Sequence, residues 1–391
     1  MGLIADRMKN VPKSFIREIL KVAESPDIIS FAGGLPNPST FPVKEIEDAC
    51  RYVLENDGQR ALQYSSTEGY YKLREFIAKR YEQKQGLLIS PDSILITSGS
   101  QQALDLIGKA IINKGDNVLM EEPGYLGAIQ AFSVFEPCFK TVMMTNHGPD
   151  TDSLEKICKN GKIKLFYGVP NFQNPSGVTY SDKVRSEASK IFLEYGVAVV
   201  EDNPYGELRF MGEDIAPMRK HNPDGILLGS FSKIASPALR LGWITAPPEI
   251  LDAVNTAKQA ADLHTNYFSQ RVLYRYLSEN SIDKHIESIR ALYKTQRDAM
   301  VASIEKHFPP EVRFTKPEGG MFIWMTLPEK YDSMVLFDAA IKQSVTFVPG
   351  KPFYAVGGGK NTLRLNYTSC TPDKIEEGIK RLADAFKNMA F

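Results

Sequence analysis

The sequence predicts an α/β protein in which a mainly parallel sheet carries helices on both faces and a smaller α+β domain lies beside it. Short apolar runs rich in Val, Ile and Leu alternate with longer stretches of helical period, and such nearly continuous runs are typical of strands buried on both faces. After about residue 285 this alternation ends. The length of 391 residues favours two or three domains over one small core.

The strand-like runs occupy the middle of the chain. Between the first two runs, apolar residues recur at helical spacing from Ala103 to Ile111, which predicts one of the covering helices. Because strand, helix and strand follow one another repeatedly, parallel neighbours are favoured. The runs are Ile94–Thr97, Val118–Met120, Ile163–Tyr167, Val197–Val200, Ile226–Leu228 and Trp243–Ala246.

We predict three segments along the chain. Residues 1–45 contain a helical stretch at Ser14–Ala23 and a loop rich in Gly and Pro, and this segment is expected to join the small domain. Residues 46–285 form the large domain, and residues 286–391 form the small α+β domain. The small domain is expected to end with a helix from Pro372 to about Met389.

Composition excludes several classes of function. Lys+Arg and Asp+Glu balance at 47 each, which argues against nucleic acid as a partner because phosphate binding favours a basic surface. The four cysteines form no C-x-x-C pair and suggest neither a disulfide framework nor a metal site. The longest apolar runs fall well short of a membrane span, and the N-terminal apolar stretch is too short for a signal peptide. We therefore expect a cytoplasmic protein that is not bound to a membrane.

Polar groups directly follow four of the strand-like runs. Open α/β sheets bind ligands beyond the carboxyl ends of their strands, so these groups converge on one crevice if the sheet is parallel. The groups are Ser98–Gln101, Asn171–Gly177, Glu201–Tyr205 and Ser230–Lys233.

The chemistry of these residues points to a charged cofactor. Ser98–Gln101 opens a helix whose free N–H groups suit a phosphate, and Arg240 can add a charged clamp. Asp202 needs a cationic partner such as a protonated pyridine nitrogen, and a lysine in a cleft, here Lys233, can lose its proton and bond an aldehyde. Taken singly, each has a simpler explanation. Ser98–Gln101 can be an ordinary helix cap and Arg240 a surface charge, while Asp202 can cap a turn and Lys233 can be a solvated surface lysine. Their combination favours a shared site.

Several motifs resemble those of the class I aminotransferases, the fold type I enzymes that use pyridoxal 5′-phosphate (PLP). Gly229–Lys233 with Leu239–Trp243 is similar to their lysine motif, Pro170–Gly177 to their P-x-x-x-N-P-[ST]-G segment, and Glu201–Tyr205 to their D-x-x-Y segment. Ser30–Pro36 and Leu62–Tyr70 resemble the 2-aminoadipate and kynurenine aminotransferase subgroup. The resemblance implies a mainly parallel, seven-stranded sheet, with PLP bound by the large domain.

The resemblance also implies roles for the cofactor-binding residues. Lys233 binds PLP covalently and moves the proton, and Asp202 pairs with the ring nitrogen. Asn174 and Tyr205 bind the ring oxygen, while Tyr125 stacks on the ring. The phosphate is held by Ser100, Gln101, Ser230, Ser232 and Arg240, and Tyr70 reaches the phosphate of a second subunit, which implies a homodimer with shared sites.

For the substrate, the resemblance implies that Arg364 binds the α-carboxylate, since a guanidinium fork fits a carboxylate. Gly34 is expected beside the substrate. Arg17 is expected either to bind a distal carboxylate of the substrate or to be an exposed arginine paired with a neighbouring acid.

The expected activity is a ping-pong amino transfer between an L-amino acid and a 2-oxo acid. Glutamate and 2-oxoglutarate are the expected common pair, with 2-aminoadipate, aromatic or branched-chain amino acids as the variable partner. Two alternatives stay open: another PLP chemistry, such as that of a lyase or decarboxylase, and a PLP-dependent sensor domain of a transcription regulator. The sensor would need a DNA-binding domain, for which no room is expected before Ser30.

Overall fold

The computed structural model describes residues 3–9, 11 and 27–389. Its strands are β1 (Ile29–Ser30), β2 (Ile94–Thr97), β3 (Asn117–Glu122), β4 (Cys138–Thr145), β5 (Gly148–Pro149), β6 (Ile163–Gly168), β7 (Ala198–Asp202), β8 (Ile226–Ser230), β9 (Gly242–Thr245), β10 (Arg313–Phe314), β11 (Phe322–Thr326), β12 (Val345–Thr346), β13 (Val348–Pro349) and β14 (Thr362–Asn366). Its helices of eight or more residues are α1 (Val43–Ala61), α2 (Tyr71–Gln85), α3 (Ser100–Ile111), α4 (Leu126–Ser133), α5 (Thr151–Gly161), α6 (Asp182–Glu194), α7 (Pro248–Asp262), α8 (Tyr267–Glu279), α9 (Ile282–His307), α10 (Ser333–Lys342) and α11 (Pro372–Lys387).

The large sheet has the strand order β2-β9-β8-β7-β6-β3-β4-β5. Strands β4, β3, β6, β7 and β8 are parallel to one another, whereas β9 is antiparallel to both β8 and β2. Strand β2 therefore points the same way as the parallel strands. The two-residue β5 adds an antiparallel edge to the mainly parallel sheet of seven strands that we expected.

Strand β4 was absent from the predicted runs, for a physical reason. It lies near the edge of the sheet, and only Val142 among its residues is buried. A strand with one covered residue has no continuous apolar run, so its sequence does not carry the signal of a buried parallel strand.

Helices cover both faces of the large sheet, because alternate residues of a strand point to opposite faces. In β6, Leu165 and Tyr167 belong to one apolar cluster, while Phe166 between them belongs to a second. In β7, Val200 and Val199 divide in the same way. The central strands are therefore buried on both sides, and polar residues that end them lie at the edge of a rigid layer.

A second, antiparallel sheet has the order β10-β11-β14-β13, and helices α9 and α11 pack closely against each other in this part of the chain. Strand β1 pairs in parallel with β12, which joins the chain near residue 29 to the C-terminal part. Helix α9 begins at Ile282, close to the predicted boundary at 285. The division into segments 1–45, 46–285 and 286–391 stays a prediction, and the helical stretch at Ser14–Ala23 lies outside the described residues.

No helix among the described residues has the length and apolar character required to cross a bilayer.

Candidate active site

A crevice of about 320 Å³ opens at the carboxyl ends of β2, β6, β7 and β8. It brings together almost all of the predicted site residues, from positions 34 to 364. Tyr70 is not among its lining residues, and Arg17 lies outside the described part of the chain. The predicted residues that line it are Gly34, Ser100, Gln101, Tyr125, Asn174, Asp202, Tyr205, Ser230, Ser232, Lys233, Arg240 and Arg364.

Lys233 follows β8 by three residues, and its half-buried side chain points into the crevice. Its Nζ donates a hydrogen bond to the carbonyl oxygen of Gly34 at 2.9 Å. Burial lowers the pKa of Lys233 to about 8, and the positive charges of Arg364 and Arg240 act in the same direction. A substantial fraction of this amine is therefore neutral near physiological pH, as a nucleophilic lysine requires.

Asp202 ends β7 and is 2% exposed. Its Oδ2 accepts a hydrogen bond from the hydroxyl of Tyr167 at 2.9 Å, while its buried Oδ1 has no partner among the described residues. Burial raises the pKa of Asp202 to about 6. Because Asp202 lines the crevice and this oxygen has no hydrogen-bond donor, the carboxylate is suited to a ligand that brings a charged N–H group.

The turn between β2 and α3 forms one wall of the crevice beside Arg240. The Arg240 Nη2 donates to the carbonyl oxygen of Ser98 at 2.9 Å. Gly99, with φ of 82°, separates the strand from the helix, and a Cβ at this position would lie 2.7 Å from Arg240 Nη2. Glycine is therefore needed both for the backbone conformation and for the approach of the arginine. The buried Oγ of Ser100 has no partner among the described residues.

Arg364 lies in the middle of β14, opposite Trp324 of β11, and is 1% exposed. Its Nη1 donates to Asn174 Oδ1 and its Nη2 to the carbonyl oxygen of Ala32, both at 2.8 Å. Its guanidinium lies 4.3 Å from the centre of the Phe322 ring. Burial lowers the pKa of Arg364 to about 10, so it keeps its charge at neutral pH. These two hydrogen bonds thus hold the positively charged Arg364 side chain in a fixed position in the crevice.

Asn174 connects Arg364 to Tyr205, which also lines the crevice. Its Nδ2 lies 3.4 Å from the hydroxyl of Tyr205, at the long end of hydrogen bonding. On the neighbouring wall, the backbone N–H of Ser232 donates to Ser230 Oγ at 3.1 Å, which fixes the turn that leads to Lys233.

Sequence reasoning missed a buried carboxyl beneath the crevice. Glu121, 1% exposed, accepts hydrogen bonds from the Val169 N–H at 2.9 Å, from Gln173 Nε2 at 2.8 Å and from the Tyr180 hydroxyl. The same Gln173 nitrogen donates to the carbonyl oxygen of Pro123 at 2.7 Å. Burial raises the pKa of Glu121 to about 7. Glu121 directly follows the predicted run Val118–Met120 and begins a segment, Glu121–Tyr125, that resembles the aminotransferases, but no role was predicted for it.

Tyr70 lies away from the crevice of its own chain. Its ring packs edge-on against Tyr267 and Tyr274, with centroids 5.7 and 5.4 Å away, and the Arg271 guanidinium lies 5.0 Å from its centre. Within one chain, the structure does not bring Tyr70 to the other predicted residues.

A larger cavity of about 960 Å³ lies between α4 and residues 351–355. Its wall includes Leu126, Ile129, Phe139 and Tyr354 and contains none of the polar groups that end the strands. The smaller crevice, where charged groups converge, is therefore the candidate active site. Across residues 3–9, 11 and 27–389, no three His, Cys, Asp or Glu side chains cluster as a metal site would require.

Comparison with known proteins identifies the family of this chain. The family model "Aminotransferase class I and II" matches residues 27–382. Aromatic-amino-acid aminotransferase 1 of Thermococcus litoralis is 45% identical over 390 residues, which covers 98% of this chain and 94% of that protein.

Two solved structures extend the likeness to three dimensions. Kynurenine aminotransferase of Pyrococcus horikoshii, in complex with PMP, is 45% identical with a TM-score of 0.94, covering 98% of this chain and 97% of that chain. The α-aminoadipate aminotransferase LysN of Thermus thermophilus, complexed with N-(5′-phosphopyridoxyl)-L-leucine, is 41% identical with a TM-score of 0.92, covering 98% of this chain and 97% of that chain. The present chain therefore belongs to the class I and II aminotransferases and is a fold type I aminotransferase whose cofactor is PLP.

Proposed function

We propose that Lys233, Asp202 and Arg364 perform the amino transfer in this crevice. The observation that carries the proposal is their convergence: an amine with a lowered pKa, a buried carboxylate with one oxygen that lacks a donor, and a fixed guanidinium line one cavity. When bound, PLP supplies an aldehyde that takes up the amino group and a ring that withdraws electrons from the substrate carbon.

The crevice residues fit PLP at both of its charged ends. The free Oδ1 of Asp202 is available to a protonated ring nitrogen, which would balance the buried charge. Ser100 Oγ, the N–H groups that begin α3 and the Arg240 guanidinium are available to a phosphate, with Gln101, Ser230 and Ser232 beside them. We assign Tyr125 to the ring face, and Asn174 and Tyr205 to the ring oxygen.

Lys233 has the second role of moving a proton. With a pKa of about 8, its amine can take the proton from the substrate Cα and return it to the cofactor side without a large driving force in either direction. Its present acceptor, the Gly34 carbonyl oxygen, holds Nζ inside the crevice. We therefore assign both covalent attachment and proton transfer to this single residue.

Arg364 is assigned to the α-carboxylate of the substrate. Its planar guanidinium suits a carboxylate, and the nearby rings of Phe322 and Phe353, with centres 4.3 and 5.3 Å away, limit its movement. A fixed carboxylate orients the Cα–H bond toward Lys233, which is how the protein selects the bond that breaks. Gly34 borders this position, where a Cβ would lie 3.4 Å from the Phe322 ring.

For the substrates, we propose glutamate and 2-oxoglutarate as the common pair. The names of the relatives support 2-aminoadipate or an aromatic amino acid as the variable partner, with branched-chain amino acids as a further candidate. Arg17 is proposed to bind a distal carboxylate when the substrate carries one.

The test is the absorbance of the purified, PLP-loaded protein during titration with single L-amino acids, in the absence of any 2-oxo acid. We expect glutamate, 2-aminoadipate or an aromatic amino acid to convert the cofactor to its pyridoxamine form, and 2-oxoglutarate to restore the original spectrum. Release of carbon dioxide or ammonia in place of a restorable spectrum would contradict amino transfer and favour decarboxylation or elimination.

We also propose that the protein works in the cytoplasm as a homodimer. All four cysteines are unpaired, which is usual in a reducing compartment. Support for the dimer comes from Tyr70, which lies outside its own crevice, and from exposed apolar side chains at Leu62, Tyr64 and Leu263. The Tyr64 ring contacts His264 edge-on at 5.7 Å, so these side chains lie on one surface that a second subunit can cover.

A further inference from the structure

A buried lysine lies on α7, next to the turn between β2 and α3 that we propose binds the phosphate. The side chain of Lys258 is 0% exposed, and its Nζ donates to Asp262 Oδ1 at 2.6 Å. A second, longer contact of 3.4 Å joins the same Nζ to Gln102 Oε1. Burying an ammonium group is costly unless it is paired, and this lysine does not line the crevice. Its place in the protein therefore needs another explanation.

Gln102 links that lysine to the turn between β2 and α3. Its Nε2 donates to Asp262 Oδ2 at 2.7 Å, and its Oε1 accepts from the backbone N–H of Ser98 at 2.7 Å. The carbonyl oxygen of Ser98 accepts in turn from Arg240 Nη2 at 2.9 Å. One continuous chain of hydrogen bonds thus runs from α7, through Gln102 and Ser98, to the guanidinium.

Arg240 needs such an anchor. Its backbone lies in the left-handed region, with φ of 54°, and its side chain is exposed in the crevice. The longer bond from its Nη1 to the Pro237 carbonyl oxygen measures 3.5 Å. The Ser98 carbonyl is therefore its best acceptor, and the position of this carbonyl depends on how the Ser98 peptide is held.

We propose that Gln102, Lys258 and Asp262 are positioning residues that hold the Ser98–Ser100 turn and so direct Arg240 toward the cofactor phosphate. The inference rests on the proposed role of Arg240. Lys258 and Asp262 carry opposite charges at 2.6 Å, so together they add little net charge near the phosphate. The network therefore acts by fixing the position of the turn through the Gln102 side chain, and its effect on cofactor binding is exerted at the phosphate.

Gln102→Leu tests the proposal, because it nearly keeps the size of the side chain and removes its hydrogen bonds to Ser98, Asp262 and Lys258. We expect the affinity of the cofactor-free protein for PLP to fall roughly tenfold, as the loss of a buried hydrogen bond in the network would give. The affinity for pyridoxal, which has no phosphate, should stay close to that of the parent. Lys258→Met should act in the same direction, which provides a second variant if Gln102→Leu does not fold.

The matched control is Lys109→Met. Lys109 forms an ion pair of 2.7 Å with Asp105 at the same four-residue spacing, but on the exposed face of α3. This variant should bind PLP like the parent.

A double-mutant cycle separates this inference from the role of Arg240 itself. Arg240→Ala should weaken PLP binding, and Gln102→Leu should add nothing in that background. If Arg240→Ala binds PLP like the parent, the phosphate role of Arg240 is wrong and the positioning role falls with it. If Arg240→Ala weakens binding but Gln102→Leu has no effect, or weakens PLP and pyridoxal equally, the positioning role alone is wrong.

Discussion

The cofactor-free protein is more stable when Asp202 is uncharged, although the proposed role of Asp202 requires the charged form. Its folded-state pKa of about 6 lies above the ordinary value of 3.8. Between pH 4 and 6 the folded state therefore keeps a proton that the unfolded state has lost, and the stability contributed by this group falls as pH rises through that window. At pH 7 the burial of the charge costs about 3 kcal/mol.

We predict opposite effects of Asp202→Asn on stability and on activity. The cofactor-free variant should unfold at a higher urea concentration than the cofactor-free parent at pH 7, because the amide removes the buried charge and still accepts from Tyr167. This difference should shrink toward pH 4. With PLP added, turnover should fall by orders of magnitude, since the ring nitrogen loses its acidic partner. A variant less stable than the parent at pH 7 would contradict the assigned cost.

Lys233 leads to a prediction about pH. Its pKa is lowered from 10.5 to about 8, so the amine becomes neutral at a pH about 2.5 units lower than an ordinary lysine does. Between pH 6.5 and 8, where Asp202 is mostly ionised, the rate at which the cofactor-free protein captures PLP should rise about 15-fold with the neutral fraction of Lys233, and it should level off above about pH 9. Stopped-flow absorbance measures this rate.

Nα-acetyllysine is the control for that profile, because its reaction with PLP should continue to accelerate toward pH 10.5. A protein profile that rises in parallel with the control above pH 9 would show that Lys233 is not the perturbed amine described above.

At this scale, the residues that end apolar runs were accessible to sequence reasoning, and their partners were not. Asp202 and Lys233 lie at or just beyond the ends of neighbouring strand-like runs, so a parallel sheet predicts that they meet. Tyr167 is the last residue of the run Ile163–Tyr167, but a tyrosine there is most often simply packed, and nothing in the sequence indicates that its hydroxyl binds Asp202. Glu121 has the right position, but its partner Gln173 comes from a loop 52 residues away.

At the scale of elements, Gln173 joins two loops that carry site residues. Its Nε2 bonds Glu121 and the Pro123 carbonyl, near Tyr125, while its Oε1 accepts from the Ser176 N–H at 2.7 Å. It is 0% exposed. The Gln173 amide therefore joins the end of β3 to the loop after β6, in addition to the hydrogen bond from the Val169 N–H to Glu121.

Gln173→Leu should disturb both loops at once. The change leaves Glu121 and the Ser176 N–H with buried polar atoms that have lost partners, and we expect a loss of about 2–4 kcal/mol in the free energy of unfolding. Turnover should fall as well, because Asn174 and Tyr125 lose their common support. Urea unfolding and steady-state kinetics measure the two effects. Gln343→Leu, an exposed glutamine at the end of α10, is the control and should change neither by much.

At the scale of the whole molecule, contacts between residues that are far apart in the sequence limit what the sequence can predict. Arg364 reaches Asn174 across 190 positions and Ala32 across 332. No local pattern encodes these distances. Buried strands were visible in the sequence because each carries its own apolar run, and helix α3 because of its spacing. The arginine was identified only through resemblance to a family, and its contacts required the fold.

Shared active sites predict that two inactive variants can restore each other. Tyr70 is proposed to serve the crevice of the second subunit, whereas Lys233 serves its own. Tyr70→Ala and Lys233→Ala should each form homodimers with little activity. In a mixed dimer, one crevice has the intact Lys233 of one chain and the intact Tyr70 of the other, while the second crevice lacks both.

Equal co-expression of the two variants should therefore give about a quarter of the parent activity, because half of the dimers are mixed and one of their two sites is complete. Mass measurement of the purified sample must show particles of twice the 43.7 kDa chain mass. If Tyr70 acted within its own chain, each crevice with an intact Lys233 would lack Tyr70, because the two residues would come from the same variant chain. Mixing the two variants would then restore no activity. Because the mass measurement checks dimer formation separately, restoration of activity reports which subunit Tyr70 serves.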